Sequence, residues 1–301
     1  MYYLIFGLLY LISLLPFFIL YRISDVVYII LYHVIGYRKK VVMNNLHIAF
    51  PEKSSAEKIF IAKKFYKNLI DTFIEAIKMI SMSEKSFLKR ATIDMDKVVA
   101  LAKSGKSIQF HSGHQFGWEY ANWIIAQKLP IPWIGVYMRI NNKSVNKIFY
   151  DLRSKTGTIL IAAQDFKNSM HQLFSKQYSI GLAADQNPSI PNNAYWLNFF
   201  NVPAPFVTGP DKGAIRNNTA VVFVKFVKIK RGFYHFDTTI IHENAAECKA
   251  GEITLLYRNF LESVIKENPD NYLWSHRRWK WAYKKDYESR WIDSTPPPSL
   301  S

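Results

Sequence analysis

The chain has 301 residues, of which 49% are hydrophobic and 16% aromatic, so it can bury a sizeable core and global disorder is excluded. Its formal net charge of +16 indicates an anionic partner, such as nucleic acid, phospholipid headgroups, a phosphorylated substrate or an acidic protein. The single cysteine, Cys248, excludes an intrachain disulfide and a cysteine-based metal site, which fits a reducing compartment for the soluble part of the chain.

The amino terminus is an uncharged, apolar stretch over residues 2–21. A helix of this length spans about 30 Å, the thickness of a hydrocarbon core, and membrane helices tolerate a kink such as Pro16 would introduce. We therefore predict a membrane helix, rather than a signal peptide or a buried core helix, followed by an interfacial segment at residues 26–37. Arg22 and the basic run at 38–40 predict that the body lies on the cytoplasmic side.

The body combines helical and strand-like segments without a long linker. Ser54 and Glu57 have the spacing of a capping box, and apolar residues from Ile59 to Ile80 recur at helical spacing among lysines. Further along, strands and helices alternate, which predicts an α/β fold with a mixed, largely parallel sheet covered by helices. The predicted strands are 107–111, 133–137, 158–161, 180–184 and 220–227, with an antiparallel partner at 232–241. The predicted helices are 95–103, 118–129, 143–155, 166–176, 209–217 and 252–268.

These segments divide the chain into three parts. Residues 1–40 form the membrane anchor and interfacial segment, residues 41–290 form one globular domain, and residues 291–301, which include three consecutive prolines, form a frayed tail.

The turn between the first predicted strand of the alternating region and the helix at 118–129 contains His114, with Glu119 five residues later. Open α/β folds place their sites at this end of the strands. We expect the Glu119 carboxylate to orient the imidazole of His114, which could then remove a proton from an alcohol. Taken alone, this spacing also arises by chance.

Other polar residues follow the neighbouring predicted strands. Arg139 comes just after the strand at 133–137, where it could hold a phosphate, stabilise an oxyanion or be an exposed surface cation. Asp185 and Gln186 end the strand at 180–184 and point to the same sheet edge as His114, unless Asp185 caps a turn.

Two aromatic segments complete the set of candidate sites. Residues 196–209 are apolar and irregular, so they could line an acyl-chain groove or pack as a loop, and Thr208 and Gly209 open a helix whose N–H groups could bind an anion. Residues 274–285 are basic and aromatic, which suits a phosphate at a membrane interface, stacked nucleic-acid bases or a solvated tail. No nucleophile elbow, Walker loop or H-E-x-x-H motif is present, and no metal site is predicted.

Taken together, six pieces of the sequence resemble the bacterial lipid A biosynthesis acyltransferases, the lauroyl/myristoyl branch of the lysophospholipid-acyltransferase-like enzymes. They occur in the family's order and cover nearly the whole chain. The pieces are residues 45–52, 113–119, 136–153, 185–188, 199–209 and 274–280.

The resemblance implies a glycerolipid-acyltransferase-like fold and the transfer of a fatty acyl chain from acyl-carrier protein or acyl-CoA to a hydroxyl of a lipid A precursor. This reaction belongs to lipopolysaccharide biosynthesis at the cytoplasmic face of the bacterial inner membrane. No cofactor is implied, because an acyl thioester is already activated. In this scheme His114 is the general base, Glu119 orients it, and Arg139 stabilises the oxyanion. The residues implied in substrate binding are Asn142, Arg153, Asp185, Gln186, Phe200, Thr208, Gly209, His276, Arg277 and Arg278.

Two departures from the family pattern stand out. Met138 follows Tyr137 where the family usually has arginine, so Arg139 comes one position later, and Asn201 replaces a usual glycine, which indicates a different acceptor. The alternatives are an acyltransferase for a lysophospholipid, a phosphatidylinositol mannoside or an aminolipid, and a non-catalytic basic protein that binds membrane or nucleic acid. The resemblance favours the acyltransferase, with inner-membrane lipids, the acyl donor and a phosphorylated glycolipid as partners and no nucleic acid.

Overall fold

A seven-stranded sheet with helices on its faces forms the centre of the protein in the computed structural model. The structure describes residues 1–298, except for the side chains of Lys167, Met170 and His171. The helices are α1 (Tyr2–Leu14), α2 (Phe17–Ile29), α3 (Lys39–Ala49), α4 (Ser55–Met79), α5 (Glu84–Leu88), α6 (Asp96–Lys103), α7 (Trp118–Lys128), α8 (Lys143–Ser154), α9 (Phe166–Leu173), α10 (Gly209–Asn217) and α11 (Glu252–Glu267). The strands are β1 (Ala91–Asp94), β2 (Ile108–Ser112), β3 (Trp133–Tyr137), β4 (Ile159–Ala162), β5 (Ser179–Ala183), β6 (Tyr195–Phe199), β7 (Val202–Phe206), β8 (Ala220–Lys230) and β9 (Phe233–His242).

The strand order of the large sheet is β1-β9-β8-β2-β5-β3-β4. Strands β8, β2, β5, β3 and β4 run parallel, whereas β9 is antiparallel to β8 and β1 pairs with β9 in parallel. The central strand β2 is buried from Ile108 to His111, as a parallel strand covered on both faces must be. The predicted α/β class and the mixed, largely parallel sheet are confirmed.

The second sheet is the hairpin β6–β7, which the sequence did not predict because Pro203 and Pro205 disfavour a regular strand. Its side chains Leu197, Phe199 and Phe206 lie in the main core, so this segment packs as core. Trp196 is fully buried against Tyr287. Phe200 and Asn201 form the turn with φ of 51° and 58°. A two-residue hairpin turn requires positive φ at these positions, and asparagine adopts it as glycine does. Turn geometry therefore explains Asn201, and no difference in acceptor is needed.

The amino-terminal segment is two helices instead of one. Pro16 ends α1 and begins α2, and a short π-helix (Ile30–Ile35) continues α2. Within the described residues, one helix is long and apolar enough to cross a bilayer, and it is Phe17–Ile35. The long apolar helix therefore lies further along the chain than the predicted stretch at 2–21, because Pro16 lacks the N–H that would have continued α1.

Two further predictions concern the ends of helices and of the chain. The capping box at the start of α4 is confirmed: the Ser54 hydroxyl accepts from the Glu57 N–H, and the Glu57 carboxylate accepts from the Ser54 N–H at 2.8 Å. The tail, in contrast, begins later than residue 291. The Ile292 N–H donates to the Trp196 carbonyl at 2.9 Å, and Asp293 forms an ion pair with Arg258 at 2.9 Å, so both residues are held on the domain.

Candidate active site

His114 lies in the turn that joins β2 to α7, at the carboxyl edge of the parallel strands. The Leu273 N–H donates to the His114 carbonyl at 3.0 Å and holds the turn against the loop that follows α11. Gly117 ends the turn with φ of 96°, and a Cβ there would lie 2.8 Å from the Tyr234 ring, so glycine is required for the chain to enter α7. The side chain of His114 is 30% exposed and therefore open to a substrate.

The carboxylate that contacts His114 is Asp185, just past the end of β5. The Nδ1–Oδ1 distance is 2.6 Å, and the Asp185 side chain is 1% exposed. The sheet brings them together because β2 and β5 are parallel neighbours, with Ser112 opposite Ala183, and each residue follows its strand end by two positions. A buried carboxylate at this distance accepts a hydrogen bond from the Nδ1–H group, which leaves the Nε2 lone pair free to take a proton.

Electrostatics agree with this pairing. Burial lowers the pKa of His114, but the charge and hydrogen bond of Asp185 outweigh burial and raise it above the ordinary value of 6.5. Burial likewise raises the pKa of Asp185, and His114 more than reverses that shift, so the Asp185 pKa is lowered. His111 shows the effect of burial alone, which lowers its pKa to about 4. Asp185 is thus an ionised group that stabilises the imidazolium form of His114.

The sequence-based role of Glu119 is wrong, because its carboxylate contacts Arg153 and not His114. Both Nε and Nη2 of Arg153 donate to it, at 3.0 and 2.5 Å, and the Trp118 indole donates at 3.1 Å. The side chains of Glu119 and Arg153 are 6% and 23% exposed. Glu119 lies in the first turn of α7, and its carboxylate is directed towards Arg153 on α8. The pair therefore joins two helices that flank the site.

Replacing Arg153 with methionine is expected to lower the free energy of unfolding by about 3 kcal/mol, because Glu119 would remain buried without its counter-charge. The matched control is Lys147→Met on the same helix, whose partner Asp151 is 40% exposed and whose loss should cost below about 0.5 kcal/mol. Chemical denaturation of both variants checks the difference. Equal losses would show that Glu119 and Arg153 do not form a buried ion pair.

A loop at residues 274–278 forms the wall beside Asp185. The backbone N–H of Asn187 donates to Nε2 of His276 at 3.1 Å, and its side chain donates to the Arg277 carbonyl. Burial, followed by the charge of Arg278, lowers the pKa of His276 to about 4, so this imidazole is neutral and acts as an acceptor. Arg277 itself is exposed. His276 and Arg277 therefore fix the strand end that carries Asp185.

Arg278 is a buried cation in this wall, with 1% of its surface exposed. Its Nη1 donates to the Asn187 side chain at 3.2 Å, and its guanidinium lies 4.3 Å from the centre of the Phe206 ring. Among the described residues, its Nε and Nη2 atoms have no hydrogen-bond partner. Burial lowers its pKa, whereas nearby groups that include Asp185 raise it. The charges of Arg278 and Asp185 therefore interact within this wall.

The remaining predicted residues lie outside the contacts of His114. Arg139 is exposed and forms an ion pair with Asp165, and Asn142 caps the N-terminus of α8. Gln186 is half-buried next to Asp185. Phe200 lies buried in the β6–β7 turn, and Thr208 and Gly209 begin α10.

Three residues that sequence reasoning missed hold the turn and the wall. The buried Asn45 side chain donates to the carbonyls of Trp274 and His276 at 2.8 and 2.6 Å. Asn271 accepts from the Phe116 N–H at 3.2 Å, and the Tyr257 hydroxyl donates to the Ser112 carbonyl at 2.7 Å. Asn45 belongs to the segment 45–52 that resembles the family, but the identity of a single asparagine does not indicate which groups it will bond.

Two clusters in the described part of the chain could offer three ligands to a metal ion, and neither contains His114 or Asp185. One consists of His242, Cys248 and Glu252, and the other of Asp94, His235 and Asp237.

Comparison with known proteins assigns the family. A search of the curated proteins gave no match to the chain. The family model described as bacterial lipid A biosynthesis acyltransferase matches residues 1–281, which include His114, Asp185 and the 274–278 wall. Members of this family are acyltransferases, and so is this protein. The chain belongs to the bacterial lipid A biosynthesis acyltransferase family.

Proposed function

We propose that the protein transfers a fatty acyl chain from an acyl thioester, carried by acyl-carrier protein or coenzyme A, to a hydroxyl of a lipid A precursor. The observation that carries this proposal is the His114–Asp185 pair, an accessible imidazole bonded to a buried carboxylate at 2.6 Å. The family supplies the reaction class, and this pair supplies a general base for it.

His114 acts on the acceptor. Its Nε2 removes the proton from the acceptor hydroxyl, whose oxygen attacks the thioester carbonyl. Asp185 keeps the proton on Nδ1 and stabilises the imidazolium that forms, in the manner of a catalytic triad without its serine. The imidazolium then returns its proton to the departing thiolate, so the reaction ends with an ester, a free thiol and a neutral His114.

We assign to Arg139 the stabilisation of the oxyanion that forms when the acceptor oxygen attacks the thioester carbonyl. This residue follows β3, which lies two strands from β2 and hence about 10 Å away at ordinary strand spacing. Its partner Asp165 is 44% exposed, and exposed ion pairs contribute little stability, so the guanidinium can exchange Asp165 for the developing negative charge at low cost.

Charge and location are consistent with this reaction. The net charge of +16 would attract acidic carrier protein and the phosphates of a lipid A precursor. We propose that the protein works at the cytoplasmic face of the bacterial inner membrane, as part of lipopolysaccharide biosynthesis, and that it needs no cofactor.

Mass spectrometry of lipid A from a deletion strain tests the proposal. We expect the deletion to remove one acyl chain from lipid A, and the wild-type gene, but not a His114→Ala gene, to restore it. The mass difference gives the chain length. Unchanged lipid A together with the loss of an acyl chain from another lipid would assign a different acceptor, such as a lysophospholipid or an aminolipid. No change in any lipid would contradict the proposed reaction.

A further inference from the structure

We propose that the amino-terminal helices lie in the plane of the bilayer, inserted into the cytoplasmic leaflet, instead of crossing it. The choice of a membrane as partner rests on the proposed function. The orientation of the helices rests on their contacts with the domain.

Both ends of α1 are bonded to the domain. At its start, the Tyr2 hydroxyl donates to Asp151 on α8 at 3.0 Å. At its end, the Lys78 ammonium donates to the carbonyls of Ser13 and Leu15 at 2.8 and 3.0 Å. A helix that left the domain to cross a membrane would have to release one of these ends. The 13 residues of α1 would also reach only about 20 Å, less than a hydrocarbon core.

Polar contacts along α2 hold this helix as well. The Ser24 hydroxyl donates to Asp71 at 2.7 Å, and Asp71 is 2% exposed. Arg231, in the β8–β9 turn, donates to both Asp71 and Asp25, so α2, α4 and the sheet share one ion-pair network. If Phe17–Ile35 crossed the bilayer, Asp25 and Arg231 would be drawn into hydrocarbon or separated, and charged groups there are costly.

The outer faces of both helices are apolar and exposed. On α1 and the start of α2 the stripe comprises Leu4, Leu8, Leu11, Leu14 and Phe18, at spacings of three and four residues. Leu4 is 79% and Phe18 71% exposed. The stripe continues on α2 and the π-helix through Ile23, Val26, Val27, Ile30 and Val34. We call these ten residues the apolar face. A continuous exposed apolar face of this size marks a membrane or protein contact, and here the opposite side of the helices is already packed on the domain through Leu20, Tyr28 and Tyr32.

Two lysines of the neighbouring helices α3 and α4 lie against tyrosines of α2 and the π-helix. The Lys39 ammonium lies 4.0 Å from the centre of the Tyr32 ring, and that of Lys67 lies 5.2 Å from the Tyr28 ring. Both rings are buried in the protein, so the ammonium groups of Lys39 and Lys67 are the parts of these pairs that could meet anionic phosphates of the headgroup layer.

The apolar face also leads to the active site. The π-helix ends at Ile35, and Arg38 then donates to the Ser275 carbonyl at 3.0 Å, in the wall beside His276. An in-plane amino terminus would therefore place the His114 side of the domain close to the headgroups, where a lipid acceptor lies.

Single-cysteine labelling tests the orientation. In a Cys248→Ser background, Tyr3→Cys and Tyr37→Cys lie before and after the candidate span. If the helices lie in the cytoplasmic leaflet, a membrane-impermeant maleimide will label both cysteines in inverted vesicles and neither in spheroplasts. Labelling of Tyr3→Cys in spheroplasts, with Tyr37→Cys labelled in inverted vesicles, would show a crossing helix and overturn the proposal.

Vesicle flotation tests the apolar face. Leu8→Lys together with Leu11→Lys is expected to weaken binding to phosphatidylethanolamine–phosphatidylglycerol vesicles by about tenfold or more, because two side chains that are exposed on the protein lose their apolar contact with lipid. The control, Leu256→Lys on α11, replaces an exposed leucine outside the apolar face and should bind as wild type does.

Two results would overturn this part of the proposal. One is unchanged vesicle binding of the Leu8/Leu11 variant. The other is that same result together with loss of self-association of the variant in size-exclusion chromatography, which would assign the apolar face to a second copy of the chain. The catalytic proposal is separable, because the same variant should retain acyl transfer to a detergent-dispersed acceptor whatever its vesicle binding.

Discussion

Alanine in place of His114 is expected to lower kcat/KM for acyl transfer by about a thousandfold, which corresponds to ~4 kcal/mol of transition-state stabilisation. The acceptor hydroxyl would lose the group that removes its proton. Binding of donor and acceptor should persist, so the loss should appear mainly in kcat. The measurement is the initial rate of transfer from a radiolabelled acyl thioester to the lipid acceptor.

The pH dependence of the wild-type rate gives an independent check of this role. A general base must be neutral, so the rate should fall as the pH drops through the pKa of His114. Because Asp185 raises that pKa, the acidic limb should lie above pH 6.5. A His114→Ala variant that keeps the wild-type rate, or a wild-type rate that is flat from pH 5 to 8, would exclude His114 as the base.

The second large effect is expected from Asp185→Asn, which should lower kcat by about a hundredfold to a thousandfold. The amide no longer fixes the Nδ1 proton by charge and no longer stabilises the imidazolium. Burial still lowers the pKa of His114, while the opposing contribution of Asp185 is lost. The acidic limb of the pH–rate profile should therefore move to lower pH even as the maximal rate falls.

Glu119→Gln is the matched control, because it makes the same chemical change at another buried carboxylate, five residues from His114. Glu119 contacts Arg153, so this variant should lose stability but keep the acidic limb at its wild-type pH. The two variants thus separate the pair observed in the structure from the pair predicted by the spacing. A shift of the limb in Glu119→Gln, with none in Asp185→Asn, would make Glu119 the partner of His114.

Local patterns in the sequence were sufficient for the elements of the sheet. The predicted strand at 133–137 and the predicted helix at 209–217 coincide with β3 and α10, and the other predicted elements differ mainly at their ends. Apolar periodicity specifies such segments because each buries one face against the same core. Strand β1, with the sequence Ala-Thr-Ile-Asp, was missed because it has no apolar run, whereas the equally short β4 is apolar throughout and was predicted.

The amino terminus shows how a single residue changes the outcome. Composition indicated one apolar helix at residues 2–21, but Pro16 divides it, and the long apolar helix runs over Phe17–Ile35. Composition also gave no indication that Tyr2, Ser24 and Asp25 are bonded to the domain, because their partners lie between 47 and 206 residues away.

The sequence by itself determined the fold class, the elements and the position of His114 at a strand end, since these follow from local periodicity and turn chemistry. Only the tertiary structure decided which carboxylate meets His114. Glu119 is nearer along the chain, but Asp185, 71 residues away, is nearer in space, because β2 and β5 pair in parallel and bring their carboxyl ends together. Strand pairing depends on the packing of the whole sheet, that is, on contacts between segments far apart in the chain, so the spacing of residues within one segment cannot predict it.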